Sequence, residues 1–285
     1  MLDYFFHTPK KNIKLSMVIL VKNEEDIIEK NIKFHSKMGI DSFVIMDNNS
    51  DDNTRDILKE LQKEYELTII SEKGDYKQSK FMTKLAKIAK QKYKPDWIIN
   101  NDADEFWIPT NNKTLKQNLS FKGGVLWVQR SNMILYETLK KWENSRYRVV
   151  NQILQREGDI NLFLTKIGRK TIINPYGYFK TNSGNHSAEH IAFWNKKEID
   201  NIHIYHYPIR SFEQFKKNIE NRVKLLKRGA KMGNHYKRWA TIYEKGELEK
   251  EFYNNLIISE NNLKCLDEMN IIKKDDLMYK HFKNL

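Results

Sequence analysis

Cysteine is almost absent: Cys265 is the only one among 285 residues. A lone thiol forms no internal disulfide and offers no thiolate set for zinc or an iron–sulfur cluster. This usage fits a reducing cytoplasm. Proline and glycine are scarce, at 5 and 11 residues, which excludes collagen-like and linker-like sequence. Long hydrophobic runs are missing as well. Met17 to Val21 is far too short to cross a bilayer, and residues 1–14 lack the basic region and apolar run of a secretory signal. The phosphate loops Gly-x-Gly-x-x-Gly and Gly-x-x-x-x-Gly-Lys-Ser/Thr do not occur, nor does the Gly-x-Ser-x-Gly elbow. Dinucleotide oxidoreductases and P-loop enzymes are therefore disfavoured.

What is present can build a core: 40% of residues are hydrophobic and 12% aromatic. The charge is uneven. Residues 1–110 carry 18 Lys and Arg against 19 Asp and Glu, while residues 111–285 carry 32 against 18. The basic excess of the second part suits nucleic acid, anionic lipid or a phosphorylated substrate, or plain solubility. Zinc-finger, KH-like and RNP patterns are missing, so nucleic acid is the least favoured partner.

The first hundred residues alternate between strand and helix patterns. Leu15–Val21, Ser42–Met46, Leu67–Ile70 and Trp97–Asn100 read as nearly continuous apolar strands. Between them, helices are expected over Glu24–Met38, ended by Gly39, over a segment capped by Ser50 or Asp52, and around Phe81–Ala89. This predicts an α/β fold, a mainly parallel sheet with helices on both faces, and ligands at the carboxyl ends of the strands. Later strands are expected at Gly124–Gln129, Leu162–Ile167, Thr171–Phe179, interrupted by Pro175 and Gly177, and Asn201–Tyr207. Phe212–Leu226 reads as a basic amphipathic helix, and 236–265 as mostly helical with a break at Gly246. The expected organisation is a catalytic domain over 1–210 and a basic helical extension over 211–285.

The strongest chemical signal is Asn101-Asp102-Ala103-Asp104-Glu105-Phe106-Trp107, directly after the fourth strand. Carboxylates two residues apart at a sheet mouth can share magnesium or manganese, and such an ion neutralises a diphosphate leaving group. Glu105 could be a ligand, an orienting group or a partner for basic residues; Phe106 and Trp107 are expected to pack beneath the loop. Asp47 and the polar run after it suit either nucleotide recognition or helix capping. Asn23 and Glu24 end the first strand in the equivalent place. Among His186, His190, His203 and His206, the last two have opposite strand parity and cannot both point at one ion. His206, at the strand end, could complete a metal site with Asp102 and Asp104.

Four segments carry a family resemblance: MVILVKNEEDIIEKNIKFHSKMGIDSFVIMDNNSDDNT, DWIINNDADEFW, GNHSAEH and IHIYHYPIRSFEQFKKNIENR. Over roughly residues 15–225 the chain resembles family 2 glycosyltransferases of the GT-A nucleotide-diphospho-sugar transferase fold, nearest to a bacterial group related to family 92. The resemblance implies sugar transfer from a nucleotide-diphospho-sugar, usually a uridine one, to an acceptor hydroxyl on a glycan or glycolipid such as lipopolysaccharide or capsule, with inversion. It implies that Asp102 and Asp104 hold Mn2+ or Mg2+ and the donor diphosphate, with His206 approaching the metal. Asn23, Glu24 and Asp47 would surround the nucleotide, and Gln78 and Lys80 would line the floor. His186 would lie near phosphate or acceptor, and Arg210 and Lys217 could reach phosphate. Glu189 is the first choice as general base, with Glu157 and Asp159 as alternatives. The basic helix from Phe212 suits either peripheral contact with anionic membrane at its inner face or a cover whose apolar stripe is buried and whose charge is exposed; Lys227, Arg228 and Lys231 follow it. A metal-dependent nucleotidyl- or phosphoryl-transferase is the alternative enzyme.

Overall fold

A computed structural model describes residues 12–74, 77–120, 123–153, 162–230 and 232–285. Two compact units divide the chain: Met1–Arg130 with Gly168–His206 and Leu285, and Ser131–Ile167 with Tyr207–Asn284. Elements of the first unit begin with β1 (Leu15–Val21), α1 (Ile28–Lys37), β2 (Ser42–Asp47), α2 (Thr54–Leu61), β3 (Leu67–Ser71), α3 (Gln78–Tyr93), β4 (Trp97–Asn101) and β5 (Glu105–Pro109). After α4 (Leu115–Asn118) comes β6 (Val125–Asn132), whose last two residues fall in the second unit. Past β7 (Tyr147–Val149) of the second unit, the first resumes with β8 (Lys170–Ile173), β9 (Tyr178–Thr181), β10 (Ala188–His190) and β11 (Lys196–His206).

The sheet runs β3-β2-β1-β4-β8-β6-β11-β5. Its first half is parallel, as the apolar strands predict, with Val18 opposite Val44 and Asn100. From β8 onward the pairing turns antiparallel, against both β4 and β6, and β11 pairs antiparallel with β5. The fold is thus α/β with a mixed central sheet of the GT-A kind. Val18, Val44, Met46 and Ile98 pack under Phe81, Met82, Leu85 and Ala89 of α3. Met17 and Ile19, on the opposite face of β1, are equally buried, so both faces are covered. Gly39 ends α1 with φ +95°, a conformation costly for a residue with a Cβ.

One expected element differs. Leu162–Ile167 is not a strand: Leu162–Leu164 forms a short 3-10 turn, and Thr165 makes only an isolated bridge to Ile153. Its adjacent Phe163 and Leu164 are both buried, which an alternating strand with one solvated face does not allow. The segment Thr171–Phe179 is interrupted at Pro175 and Gly177 as expected, giving β8 and β9.

The second unit contains α5 (Phe212–Lys227), α6 (Asn234–Glu244), α7 (Leu248–Glu251), α8 (Glu260–Glu268), β12 (Ile272–Lys274) and α9 (Leu277–Lys283), with β12 antiparallel to β7. The break at Gly246 falls between α6 and α7. The apolar stripe of α5, Phe215, Ile219 and Val223, is buried; Phe215 meets Trp239 and Phe252 ring to ring. Lys216, Lys224, Lys227 and Arg228 are exposed. Lys231 lies outside the described residues.

A buried polar clamp fixes the turn between β4 and β5. Asn31 of α1 donates through Nδ2 to the carbonyls of Ala103 (2.8 Å) and Glu105 (2.9 Å). Its Oδ1 accepts from Asn101 Nδ2 at 3.2 Å, and Asn101 Oδ1 accepts from the Trp107 indole at 2.7 Å. His35, one helical turn after Asn31, completes the set. Its Nδ1 faces two oxygens of Asn31 and therefore carries the proton, while Nε2 accepts the Trp107 N–H at 3.1 Å. Phe106 and Trp107 are fully buried, as expected.

Burial lowers the His35 pKa from 6.5 to about 3, with the Asn31 carbonyl opposing. The unfolded chain therefore takes up this proton first, and stability falls as pH drops through 6.5 toward 3. Between pH 7 and pH 5 the expected loss from His35 is about 2 kcal/mol. Urea unfolding at both pH values should show that portion of the pH dependence disappearing in H35Q; equal pH dependence in the two proteins would refute the assignment.

Candidate active site

The turn Asp102-Ala103-Asp104 sits at the carboxyl end of β4, closed by the Glu105 N–H on the Asp102 carbonyl at 3.1 Å. Register places His206, the last residue of β11, opposite Glu105, the first of β5. His206 Nε2 lies 3.4 Å from Asp104 Oδ2. Asp104, Glu105 and His206 each offer one ligand atom, all within 4.8 Å of one another. His203, of opposite parity, instead has its ring against Tyr205.

Glu105 is fully buried. Its Oε1 accepts from Arg130 at 2.5 Å and lies 3.4 Å from the Lys170 ammonium, while buried Oε2 has no hydrogen-bond partner. Burial raises its pKa, with Lys170 and Arg130 pulling the other way. An orphaned carboxylate oxygen beside a second carboxylate and an imidazole fits a divalent cation that accepts hard oxygen and nitrogen ligands, such as manganese or magnesium.

Asp102 is engaged differently. Its Oδ1 accepts from Asn185 Nδ2 at 2.9 Å, and its Oδ2 forms an ion pair with Lys170. Lys170 opens β8, is 1% exposed, and also donates to the Gly184 carbonyl at 2.9 Å. Gln78, at the start of α3, accepts the Gly184 N–H at 2.8 Å. The structure thus joins Gln78, Gly184, Asn185, Lys170 and Asp102 in one connected set. Gly184 has φ +74°, and a Cβ there would come within 2.4 Å of the His186 ring, so no other residue fits without displacing that ring. Lys80 is exposed on α3.

His186 Nδ1 contacts the Arg169 carbonyl at 2.7 Å and therefore donates to it. Burial lowers its pKa; the Arg169 carbonyl opposes this, and Lys170 and Arg130 add to the lowering. Glu189 lies elsewhere on its hairpin: it is exposed between buried Ala188 and His190, and pairs with Lys180 at 3.0 Å. Glu157 and Asp159 lie outside the described residues. Arg210 belongs to the second unit, where it is buried and donates to the Tyr207 carbonyl at 3.2 Å. Lys217 lies on α5.

Asn23, Glu24 and Asp47 gather at the carboxyl ends of β1 and β2. Asp47 Oδ1 accepts the Ser50 N–H at 3.0 Å, and the Ser50 hydroxyl accepts the Asn23 N–H at 2.9 Å. Asn23 Oδ1 accepts the Asp51 N–H at 2.9 Å, and the Glu24 N–H reaches Thr54 Oγ1 at 2.8 Å. Asn23 holds φ 59°, and its buried Nδ2 has no partner. The N-cap of α2 is Asn53, without a side-chain cap bond, and not Ser50 or Asp52 as expected; Asp52 Oδ1 accepts the N–H of Thr54, the first helical residue, at 3.0 Å.

Sequence reasoning missed Lys170, Arg130, Asn185 and Asn31. The available signal was slight: a lysine opening the apolar run Thr171-Ile172-Ile173, and an arginine closing Val125–Gln129.

A sequence profile described as glycosyl transferase family 2 matches residues 16–182. Among solved structures, S. aureus TarS 1-349 in complex with UDP-GlcNAc aligns at 14% identity and TM-score 0.44, covering 85% of this chain and 74% of that one. The mannosyltransferase PcManGT from Pyrobaculum calidifontis, in complex with GDP-Man and Mn2+, aligns at 13% identity and TM-score 0.45, covering 92% and 77%. Glucosyl-3-phosphoglycerate synthase from Mycobacterium tuberculosis aligns at 17% identity and TM-score 0.31, covering 44% and 46%. No protein of curated function matches.

The Arg130–Glu105 pair gives a stability test. R130M leaves a buried carboxylate with only Lys170 as cation and should cost about 3 kcal/mol in urea unfolding. The double variant E105Q/R130M should lose clearly less than the sum of the single losses; strict additivity would mean that the pair is not coupled.

Proposed function

Because the chain belongs to glycosyl transferase family 2, we propose that it transfers a sugar from a nucleotide-diphospho-sugar, a UDP-sugar in the first instance, to a hydroxyl of a glycan or glycolipid. The observation that carries the reading is the cluster of Asp104, Glu105 and His206 at the carboxyl edge of the sheet. A divalent cation held there by those side chains supplies charge neutralisation to the departing diphosphate. Asp102, held by Lys170 and Asn185, is assigned to the donor diphosphate. Asn23, Glu24 and Asp47 bind the nucleoside, and Gln78 and Lys80 form the floor.

In an inverting transfer the acceptor oxygen bonds to the anomeric carbon as the bond to the phosphate oxygen breaks. The acceptor proton passes to a carboxylate on the opposite side, and the nucleoside diphosphate leaves intact. Glu189 is assigned that base role, which requires it to leave Lys180. Neutral His186 hydrogen-bonds phosphate or acceptor. The kinship to the family 92-like group rests on the sequence segments alone. No helix among the described residues is long and apolar enough to cross a membrane. The proposed setting is cytoplasmic, in bacterial lipopolysaccharide or capsule synthesis, with the exposed lysines of α5 available to anionic headgroups.

Calorimetric titration with UDP, with and without manganese, tests the donor site. Wild-type protein should bind UDP in a manganese-dependent manner, and D104A and H206A should each weaken that binding about tenfold or more. Products with a suitable acceptor should include intact UDP; pyrophosphate release would favour nucleotidyl transfer instead. Folded wild-type protein that binds none of UDP, GDP, CDP and dTDP would overturn the reading.

A further inference from the structure

The buried lysine at the start of β8 has no place in the chemistry described so far. Its ammonium is held by Asp102 Oδ2 and the Gly184 carbonyl, with Glu105 Oε1 at 3.4 Å. It therefore occupies the space between two carboxylates of the acidic turn, where a second cation would otherwise be drawn. Asp102 has its other oxygen on Asn185, so both of its oxygens are already engaged, and a metal would have to compete with the Lys170 ammonium for them. The carboxylate oxygen that lacks a partner belongs to Glu105, which offers one ligand atom together with Asp104 and His206. Asp102 and Glu105 thus share two fixed cations, Lys170 and Arg130, while Asp104 faces His206. The net charge left to attract a free divalent ion is small, and the nearby ammonium repels it. A diphosphate would add the negative charge that is missing.

We propose that Lys170 is a positioning residue that keeps Asp102 out of the metal's coordination shell and weakens metal binding in the resting protein, so that the divalent cation is retained chiefly together with the nucleoside diphosphate. The same ammonium ties the Gly184–Asn185 turn to Asp102, so the turn that carries His186 is fixed by the residue that sets the charge. This inference rests on the glycosyltransferase reading of the site.

Manganese binding, followed by water-proton relaxation with and without UDP, tests it in wild-type, K170R and K170M proteins. Wild type should bind manganese weakly alone and more tightly with UDP. K170M should bind manganese alone about tenfold or more tighter, with the enhancement by UDP reduced, and K170R should behave as wild type. A lysine that only supports the fold predicts the opposite sign, since disorder weakens metal binding. K170M that is folded by circular dichroism yet binds manganese no tighter overturns the proposal, while the functional reading stands if UDP still binds with manganese. D102N provides a second route if K170M does not fold. With Asp102 outside the metal shell it should lose less than about tenfold in manganese affinity, where D104N loses far more; equal losses overturn the proposal. Wild-type protein that binds neither manganese nor any nucleoside diphosphate removes the functional reading and this proposal together.

Discussion

The clamp that Asn31 places on the β4–β5 turn is the constraint on which the first unit's site depends. Two carbonyls in that turn, of Ala103 and Glu105, point away from solvent and would be unsatisfied without its amide. One side chain satisfies both, and the Asn101, His35 and Trp107 bonds hold that side chain in turn. The carboxylates of Asp102, Asp104 and Glu105 are therefore aimed by a rigid, dry support. A helix five elements before β4 in the chain sets the geometry of the acidic turn.

Above that support the site is a problem in charge. Glu105 is fully buried, which disfavours its ionised form, and Arg130 and Lys170 supply the opposing field. Both cations are held by carbonyls as well, Arg130 by Gly168 and Lys170 by Gly184. Those carbonyls lie just before β8 and just after β9, and the cations sit on β6 and β8, so the antiparallel addition to the parallel sheet delivers them. The parallel half delivers Asn23, Glu24, Asp47 and the acidic turn, and β11 delivers His206. The mixed sheet is the means by which acids and bases from distant parts of the chain meet at one edge.

The second unit buries its own apolar surface. Phe215 lies against Trp239 and Phe252, and Glu251 is held by Arg238, by the Trp239 indole at 3.0 Å and by Asn255 at 2.6 Å. The amphipathic pattern of α5 thus serves this unit's interior, and only its charged face is left exposed.

The parallel half of the fold was legible because periodicity reports burial directly: strands covered on both faces read as continuous apolar runs. The acidic turn was legible for a related reason, since carboxylates at the end of such a strand stand out from it. His206 could be placed by parity and by its position at a strand end. Lys170, Arg130 and Asn185 could not. Each lies far along the chain from its partner, 68 residues between Lys170 and Asp102 and 83 between Asn185 and Asp102, and a basic residue in a basic segment gives no local sign that it is buried. Glu189 likewise drew its expected role from following Asn185 and His186 in a polar run, while its pairing with Lys180 across the hairpin was set by register. The sequence alone determined the α/β architecture, the acidic turn and the absence of a glycine-rich phosphate loop, because these follow from short-range pattern. Only the tertiary structure decided which cation meets which carboxylate, because burial and long-range pairing set those contacts.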